Sequence, residues 1–331
     1  MRVLITGGAG FIGSHLAEAY LRKGGEVYII DNLSTGSLNN LGTLYEEERF
    51  KNKLFVHVDS VLNNHSMEVL IKTCDVVFHL AAAVGVRYIL DHPLESIITN
   101  VMGTESVLKL CHEYNKKVLL TSSSEVYGKN SNVPLSETEN IVFGPPSKFR
   151  WSYASSKLIN EYFALGYYRA KRLKVIITRL FNTIGPKQSY SYGMVVPRLV
   201  NQAINNEDLT IYGDGRQTRT FAYVTDIVWA LMALMEHNAT VGEVFNVGGK
   251  EEISILDLSQ KIIKIADSRS KIKFISYSKA FGKDFEDMQS RVPSLKKIKE
   301  YINFDPQGDL DYILNNIISY MKDTNDGFKT P

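Results

Sequence analysis

The chain has 331 residues, enough for one large domain or two ordinary ones, with 44% hydrophobic and 22% charged residues and a formal net charge of only +2. That composition excludes disordered and fibrous classes, and the near-neutral balance leaves no electrostatic footprint for nucleic acid. Short basic pairs such as Lys116-Lys117 and Lys296-Lys297 read as solvated faces. No apolar run is long enough to span a bilayer, and the N-terminus enters a strand without a signal-peptide pattern. Cys74 and Cys111 sit in apolar surroundings without metal-ligand spacing, so reduced thiols in a cytoplasmic protein with no metal site are expected.

In chain order, Val3–Thr6, Glu26–Ile30, Leu54–Val58, Val76–Leu80, Val118–Ser122 and Val175–Arg179 are short apolar, partly β-branched runs that read as strands. Helical stretches fall between most of them, at Ser14–Arg22, Leu94–Tyr114 and Tyr153–Arg172. Continuous apolar strands separated by helices imply a parallel sheet covered on both faces, the doubly wound α/β (Rossmann) class. Ligand is then expected at the carboxyl ends of the strands. Past Phe181 the rhythm turns irregular, with helices near Met194–Ile204, Ile227–Glu236, Ile255–Ala266 and Leu310–Met321. The expected division is a dinucleotide-binding domain over 1–180, to which 225–250 returns. A smaller α/β substrate-binding lobe takes 181–224 and 251–331.

Gly7-Gly8-Ala9-Gly10-Phe11-Ile12-Gly13 follows the first strand and opens the first helix. Glycines there let backbone approach a pyrophosphate while the helix N-terminus offers free N–H groups. The second strand ends at Asp31, eighteen positions after Gly13. A carboxylate there suits the ribose hydroxyls and repels a 2′-phosphate, which favours NAD over NADP. Asp59, after the third strand, reads as an adenine contact or a loop cap.

Tyr153-Ala154-Ser155-Ser156-Lys157 puts a phenol and an ammonium on one helix face. Free tyrosine titrates near about 10, so the lysine and a positive nicotinamide are expected to favour the phenolate. Tyr167 and Lys171 repeat the spacing, and the serines Ser122-Ser123-Ser124 at the end of the fifth strand select Tyr153 over Tyr167. A serine there shares the substrate proton with the tyrosine.

The glycine motif, Asp31, Ser123, Tyr153 and Lys157 resemble the extended short-chain dehydrogenase/reductase family that acts on nucleotide sugars. The resemblance continues through Arg179–Pro186 and Tyr212–Arg219, segments that in similar enzymes line the nucleotide-diphosphate pocket. It implies NAD as cofactor and a UDP-sugar or other nucleotide sugar as substrate, oxidised transiently at C4. It places Asn32, Ser60, Leu80, Ala81, Ala82 and Asn100 at the cofactor beside the glycines, Asp31 and Asp59. Asn182, Val196, Tyr212, Arg219 and Arg291 fall at the substrate. A homodimer through the helices near Asn100–Tyr114 and Tyr153–Arg172 is expected by analogy.

The reaction is read from Ser123-Ser124-Glu125-Val126-Tyr127-Gly128. In 4,6-dehydratases the two positions before Val-Tyr-Gly are typically Asp and Glu; here they are Ser124 and Glu125. The Ser-Glu pair, the run Arg150–Tyr153, the segment 282–287 and Arg291 resemble UDP-glucuronate decarboxylases. Decarboxylation therefore ranks first. Dehydration, including a C5–C6 elimination with Glu125 as base, and 4-epimerisation stay open. A redox-idle, NAD-sensing binding protein is the reading from another class.

Overall fold

The structure, a computed structural model, describes residues 1–191, 193–281, 286 and 288–325. Seven strands form one sheet in the order Val244–Val247, Val175–Leu180, Lys117–Ser123, Val76–His79, Arg2–Thr6, Glu26–Asp31, Leu54–Val58. Every neighbouring pair in it is parallel. The fold is the Rossmann-type α/β class expected from the strand–helix alternation.

Alternation along a strand explains why both faces carry helices. In the first strand Val3 and Ile5 point into one core, with Leu16, Tyr20, Leu231 and Phe245. Leu4 points into the other, with Ile71, Val107, Cys111 and Val175. The helices Phe11–Arg22 and Val224–Glu236 pack together on the first face. On the second, Pro93–Glu113 packs along Ser152–Lys171. Val244–Val247 pairs with Val175–Leu180 and closes the sheet on that side.

A further core joins the helices Val195–Ile204, Ile255–Ala266 and Leu310–Asn325 through Leu199, Val200, Leu258, Ile262, Ile313 and Ile317. Two small pairings not foreseen from sequence shape this region. Leu209–Tyr212 lies parallel to Ile272–Ile275. Thr218–Thr220 sits between Glu252–Ser254 and Ser290–Arg291, which puts Arg219 and Arg291 side by side.

The strand order reverses between Arg2–Thr6 and Val76–His79, which opens a crevice at their carboxyl ends. His79, at the rim of this crevice, is buried between two threonines. Its Nδ1 lies 2.8 Å from Thr6 Oγ1 and its Nε2 3.0 Å from Thr104 Oγ1. Thr6 Oγ1 also accepts the Ala81 N–H at 3.1 Å, tying the glycine turn to the next loop.

Candidate active site

A cavity of about 790 Å³ occupies the crevice. The first helix starts at Phe11, three residues before the expected Ser14, so the glycine turn itself is its N-terminus. Gly10 is the N-cap and no side chain caps the helix, leaving its first N–H groups toward the cavity. The glycines are required by contact. Gly7 has φ +71°, and a Cβ there would sit 2.8 Å from the Ala81 nitrogen. A Cβ on Gly13 would sit 2.3 Å from the Gly7 oxygen.

Asp31 closes this end. One carboxylate oxygen accepts the Ala9 N–H at 3.0 Å and the other the Leu33 N–H at 2.9 Å. Burial raises its pKa, and those backbone donors oppose the rise. Gly7, Gly10, Phe11, Ile12, Gly13, Asp31, Asn32, Asp59, Ser60, Leu80, Ala81 and Ala82 all line the cavity. Asp59 is also a loop cap: its carboxylate accepts from the Ser60 N–H at 2.7 Å, Asn63 at 2.8 Å and the Ser66 hydroxyl at 2.6 Å. Asn100 lies outside the lining. Its Oδ1 accepts the Ala83 N–H at 2.7 Å, bracing the wall from behind.

Across the cavity, the strand Lys117–Ser123 delivers Ser123, and the helix Ser152–Lys171 delivers Tyr153 and Lys157. Ser123 and Tyr153 both line the cavity, Ser123 draws the pKa of the Tyr153 phenol down, and the Ser123 hydroxyl accepts the Glu125 N–H at 3.2 Å. Lys157 is buried and donates to the Thr121 carbonyl at 2.9 Å. Burial lowers its pKa to about 8, against the pull of Glu161.

One electrostatic expectation needs correction. Burial and the Glu125 carboxylate push the Tyr153 phenol above its ordinary value, more than Ser123, Arg291 and Arg150 draw it down. One Lys157 N–H goes to a backbone carbonyl, and burial is the largest reason the phenol stays protonated. The positive nicotinamide expected to favour the phenolate comes with the cofactor. The duplicate motif is settled by position: Tyr167 donates to Glu105 at 3.2 Å, between the two packed helices and outside the cavity.

Glu125 is the centre of a buried ion cluster. One of its oxygens is held by Arg150, the other by Arg291 at 3.0 Å. Arg291 also donates to the Ser124 hydroxyl at 3.3 Å. Burial would raise the Glu125 pKa, but the two arginines prevail and bring it down to about 2. A carboxylate so held is a weak base, which disfavours the C5–C6 elimination that would have used it.

Asn182, Val196 and Arg291 line the cavity as expected, while Tyr212, Arg219 and Arg179 do not. The Tyr212 ring lies under the Arg198 guanidinium at 4.4 Å, beside a separate hollow lined by Gly213, Asp214, Phe274, Ser276 and Tyr277. Arg219 donates to the Thr218 carbonyl at 2.7 Å, and its charge still helps to depress the Glu125 pKa. Arg179 is committed to Glu161 at 2.8 Å inside the core. Within the segment 282–287, residues 282–285 and 287 lie outside the described residues. Glu286 accepts the Trp151 indole N–H at 3.2 Å.

Sequence reasoning gave Arg150 no role of its own. Its only signals were the resemblance of the run Arg150–Tyr153 to the decarboxylases and its place three residues before Tyr153. Such a spacing shows no contact with Glu125 until the strand and the helix pack.

The family described as GDP-mannose 4,6 dehydratase matches residues 4–317. The chain belongs to that family. It is a nucleotide-sugar-modifying enzyme of the extended short-chain dehydrogenase/reductase group that its motifs resemble. Among its relatives, UDP-N-acetyl-alpha-D-glucosaminuronate decarboxylase of Bacillus cytotoxicus is 40% identical over 97% of this chain and 98% of the relative. UDP-glucuronic acid decarboxylase 1 of Arabidopsis thaliana is 36% identical over 96% of this chain and 69% of the relative. Among solved structures, UDP-glucuronic acid 4-epimerase of Bacillus cereus, in complex with UDP-glucuronic acid and NAD, superimposes with a TM-score of 0.87. It is 29% identical, over 98% of this chain and all of the other.

Proposed function

We propose that this NAD-dependent family member decarboxylates a UDP-hexuronate through transient oxidation at C4. The observation that carries the reaction is the Arg150–Glu125–Arg291 cluster. Among the described residues, the guanidinium groups of Arg150 and Arg291 meet at Glu125 on the cavity wall, beside Ser123 and Tyr153, and bring guanidinium charge to it. An anionic substituent on the sugar is favoured there; a neutral hydroxymethyl gains nothing from the charge.

NAD fits the residues present. The uncapped helix N-terminus and glycine cradle suit its pyrophosphate, and Asp31 suits the adenosine ribose. When bound, it accepts two electrons and one hydrogen from C4 and later returns them. Tyr153, beside Ser123 at the cavity wall, takes the proton of the C4 hydroxyl, and buried Lys157 holds positive charge behind them.

A C4 ketone stands β to the C6 carboxylate. The C5–C6 bond then breaks, its electron pair moves into an enolate with the charge on the C4 oxygen, and carbon dioxide leaves. Ser123 and Tyr153 can donate hydrogen bonds to that oxygen. A proton added at C5 restores the ketone, now of a pentose.

The purified protein with NAD is expected to release carbon dioxide from UDP-glucuronate or UDP-N-acetylglucosaminuronate, with mass loss seen by mass spectrometry and the new pentose by proton NMR. Water loss from UDP-glucose, or an isomer of unchanged mass from the hexuronates, would replace this reading with dehydration or 4-epimerisation.

Three further readings belong to the same proposal. Residues 1–180 with 225–250 form the NAD-binding part, and 181–224 with 251–331 the nucleotide-sugar lobe; the sheet pairing of Val244–Val247 and the separate core of the lobe support this. The protein acts in the cytoplasm, in keeping with two buried free cysteines. Among the described residues, no helix is long and apolar enough to cross a membrane. It works as a homodimer through the packed helices Pro93–Glu113 and Ser152–Lys171, whose outer faces expose Leu94, Ile98, Met102, Ile159 and Tyr162. Sedimentation should show a dimer that Tyr162→Glu converts to monomer; a monomeric wild type at micromolar concentration ends that reading.

A further inference from the structure

Glu125 stands where a base would be dangerous. It lines the cavity beside Ser123 and Tyr153, the groups that meet the sugar in the proposed mechanism. A C4 ketone makes the C5 proton acidic as well as making the C6 carboxylate labile. A free carboxylate at this place would take that proton. The C5–H bond would break, its pair would enter a C4–C5 enolate, and the proton would sit on Glu125 and exchange with solvent. Carbon dioxide would not be lost on that route.

The geometry of the cluster prevents this. Each Glu125 oxygen has its own guanidinium: Arg150 on Oε2 and Arg291 on Oε1. Arg291 has a second partner in Ser124, whereas the Arg150 guanidinium comes from the helical turn just ahead of Tyr153. It is buried and lies 5.5 Å from the centre of the Trp151 ring. Trp151 is itself fixed by its indole N–H to Glu286, which lies 3.4 Å from the Lys129 ammonium. Arg150 is thus held in place as a clamp on Glu125.

We propose that Arg150 is a positioning residue: by holding Glu125 against Arg291 it denies that carboxylate the role of base at C5, so that the 4-ketone loses carbon dioxide instead. The inference rests on the decarboxylase reading for its product, but its test reads C5 rather than C6.

Enzyme, NAD and UDP-glucuronate are incubated in D2O, and the unreacted hexuronate is recovered and analysed for deuterium at C5 by NMR. Wild type and Arg150→Lys are expected to leave C5 protonated. Arg150→Met should incorporate deuterium about 10²-fold faster than wild type, the low end of what a general base contributes. Combining Arg150→Met with Glu125→Gln should return exchange to background, which a merely loosened site would not do. If Arg150→Met does not fold, Arg150→Gln takes its place in both arms.

Three results overturn the proposal: C5 exchange in the wild type, none in an Arg150→Met protein that still forms 4-ketone, or exchange that persists in the double variant. Failure of the decarboxylase reading is separate, since it shows as no carbon dioxide from either hexuronate in the wild type.

Discussion

Replacing Tyr153 with Phe is expected to lower kcat by about 10²–10⁴-fold, the range for losing a positioned acid–base group. The ring stays, so packing against the cavity wall and the position of Lys157 are kept. What goes is the phenolic hydroxyl at the cavity wall beside Ser123. Bound NAD, measured by its release on denaturation, should match wild type, since Asp31 and the glycine cradle are untouched. Tyr167→Phe is the control. Its hydroxyl reaches Glu105 between helices, so turnover should stay near wild type. Product formation by Tyr153→Phe at the wild-type rate would sink the mechanism.

The second large effect is on stability. Arg179→Leu should cost about 3–5 kcal/mol, because removing one partner of a buried ion pair strands the other charge. Glu161 holds Arg179 through two parallel contacts, Nε to Oε1 at 3.0 Å and Nη2 to Oε2 at 2.8 Å, with both side chains almost wholly buried. The Ser122 hydroxyl donates to the same carboxylate at 2.5 Å. The Arg179 guanidinium also lies 4.8 Å from the Tyr127 ring centre. The pair therefore ties the catalytic helix to the strands Lys117–Ser123 and Val175–Leu180, next to Ser123 and one turn after Lys157. A fall in melting temperature of the order of 10 °C is expected. Joining Arg179→Leu to Glu161→Leu should recover more than half of it, because no charge is then left buried. A single variant that melts with wild type, or a double variant worse than the single, would contradict this account.

Much of the fold was legible because the signals were local. The six strands read from apolar runs all lie in the main sheet; the five inside it are largely buried and so apolar, while the edge strand Leu54–Val58 leaves His57 and Val58 exposed. The glycine turn was legible for a similar reason: Gly7 and Gly13 sit where a single Cβ would meet backbone a few residues away or on the next strand. The sheet pairing of Val244–Val247 follows the same rule. The short strands Thr218–Thr220 and Ser290–Arg291 did not announce themselves, since two or three residues carry no periodicity to detect.

The candidate site divides along the same line. Asp31 could be named from its offset to the glycine turn, Tyr153 and Lys157 from their spacing once the serine run at the strand end selected them over Tyr167 and Lys171, and Ser123 within that run from the family resemblance. Sequence likewise set the doubly wound class, the NAD preference argued from Asp31 and the nucleotide-sugar resemblance. The tertiary structure alone decided the ionic state of the site. Arg150, Glu125 and Arg291 come from three distant stretches of chain, and only their packing turns Glu125 from a candidate base into a clamped anion. It also moved Tyr212, Arg219 and Asn100 off the cavity wall and kept the duplicate Tyr167 away from any ligand. The reason is physical. Backbone conformation and strand burial depend on near neighbours, whereas the charge state of a carboxylate depends on distances to groups that sequence does not bring together.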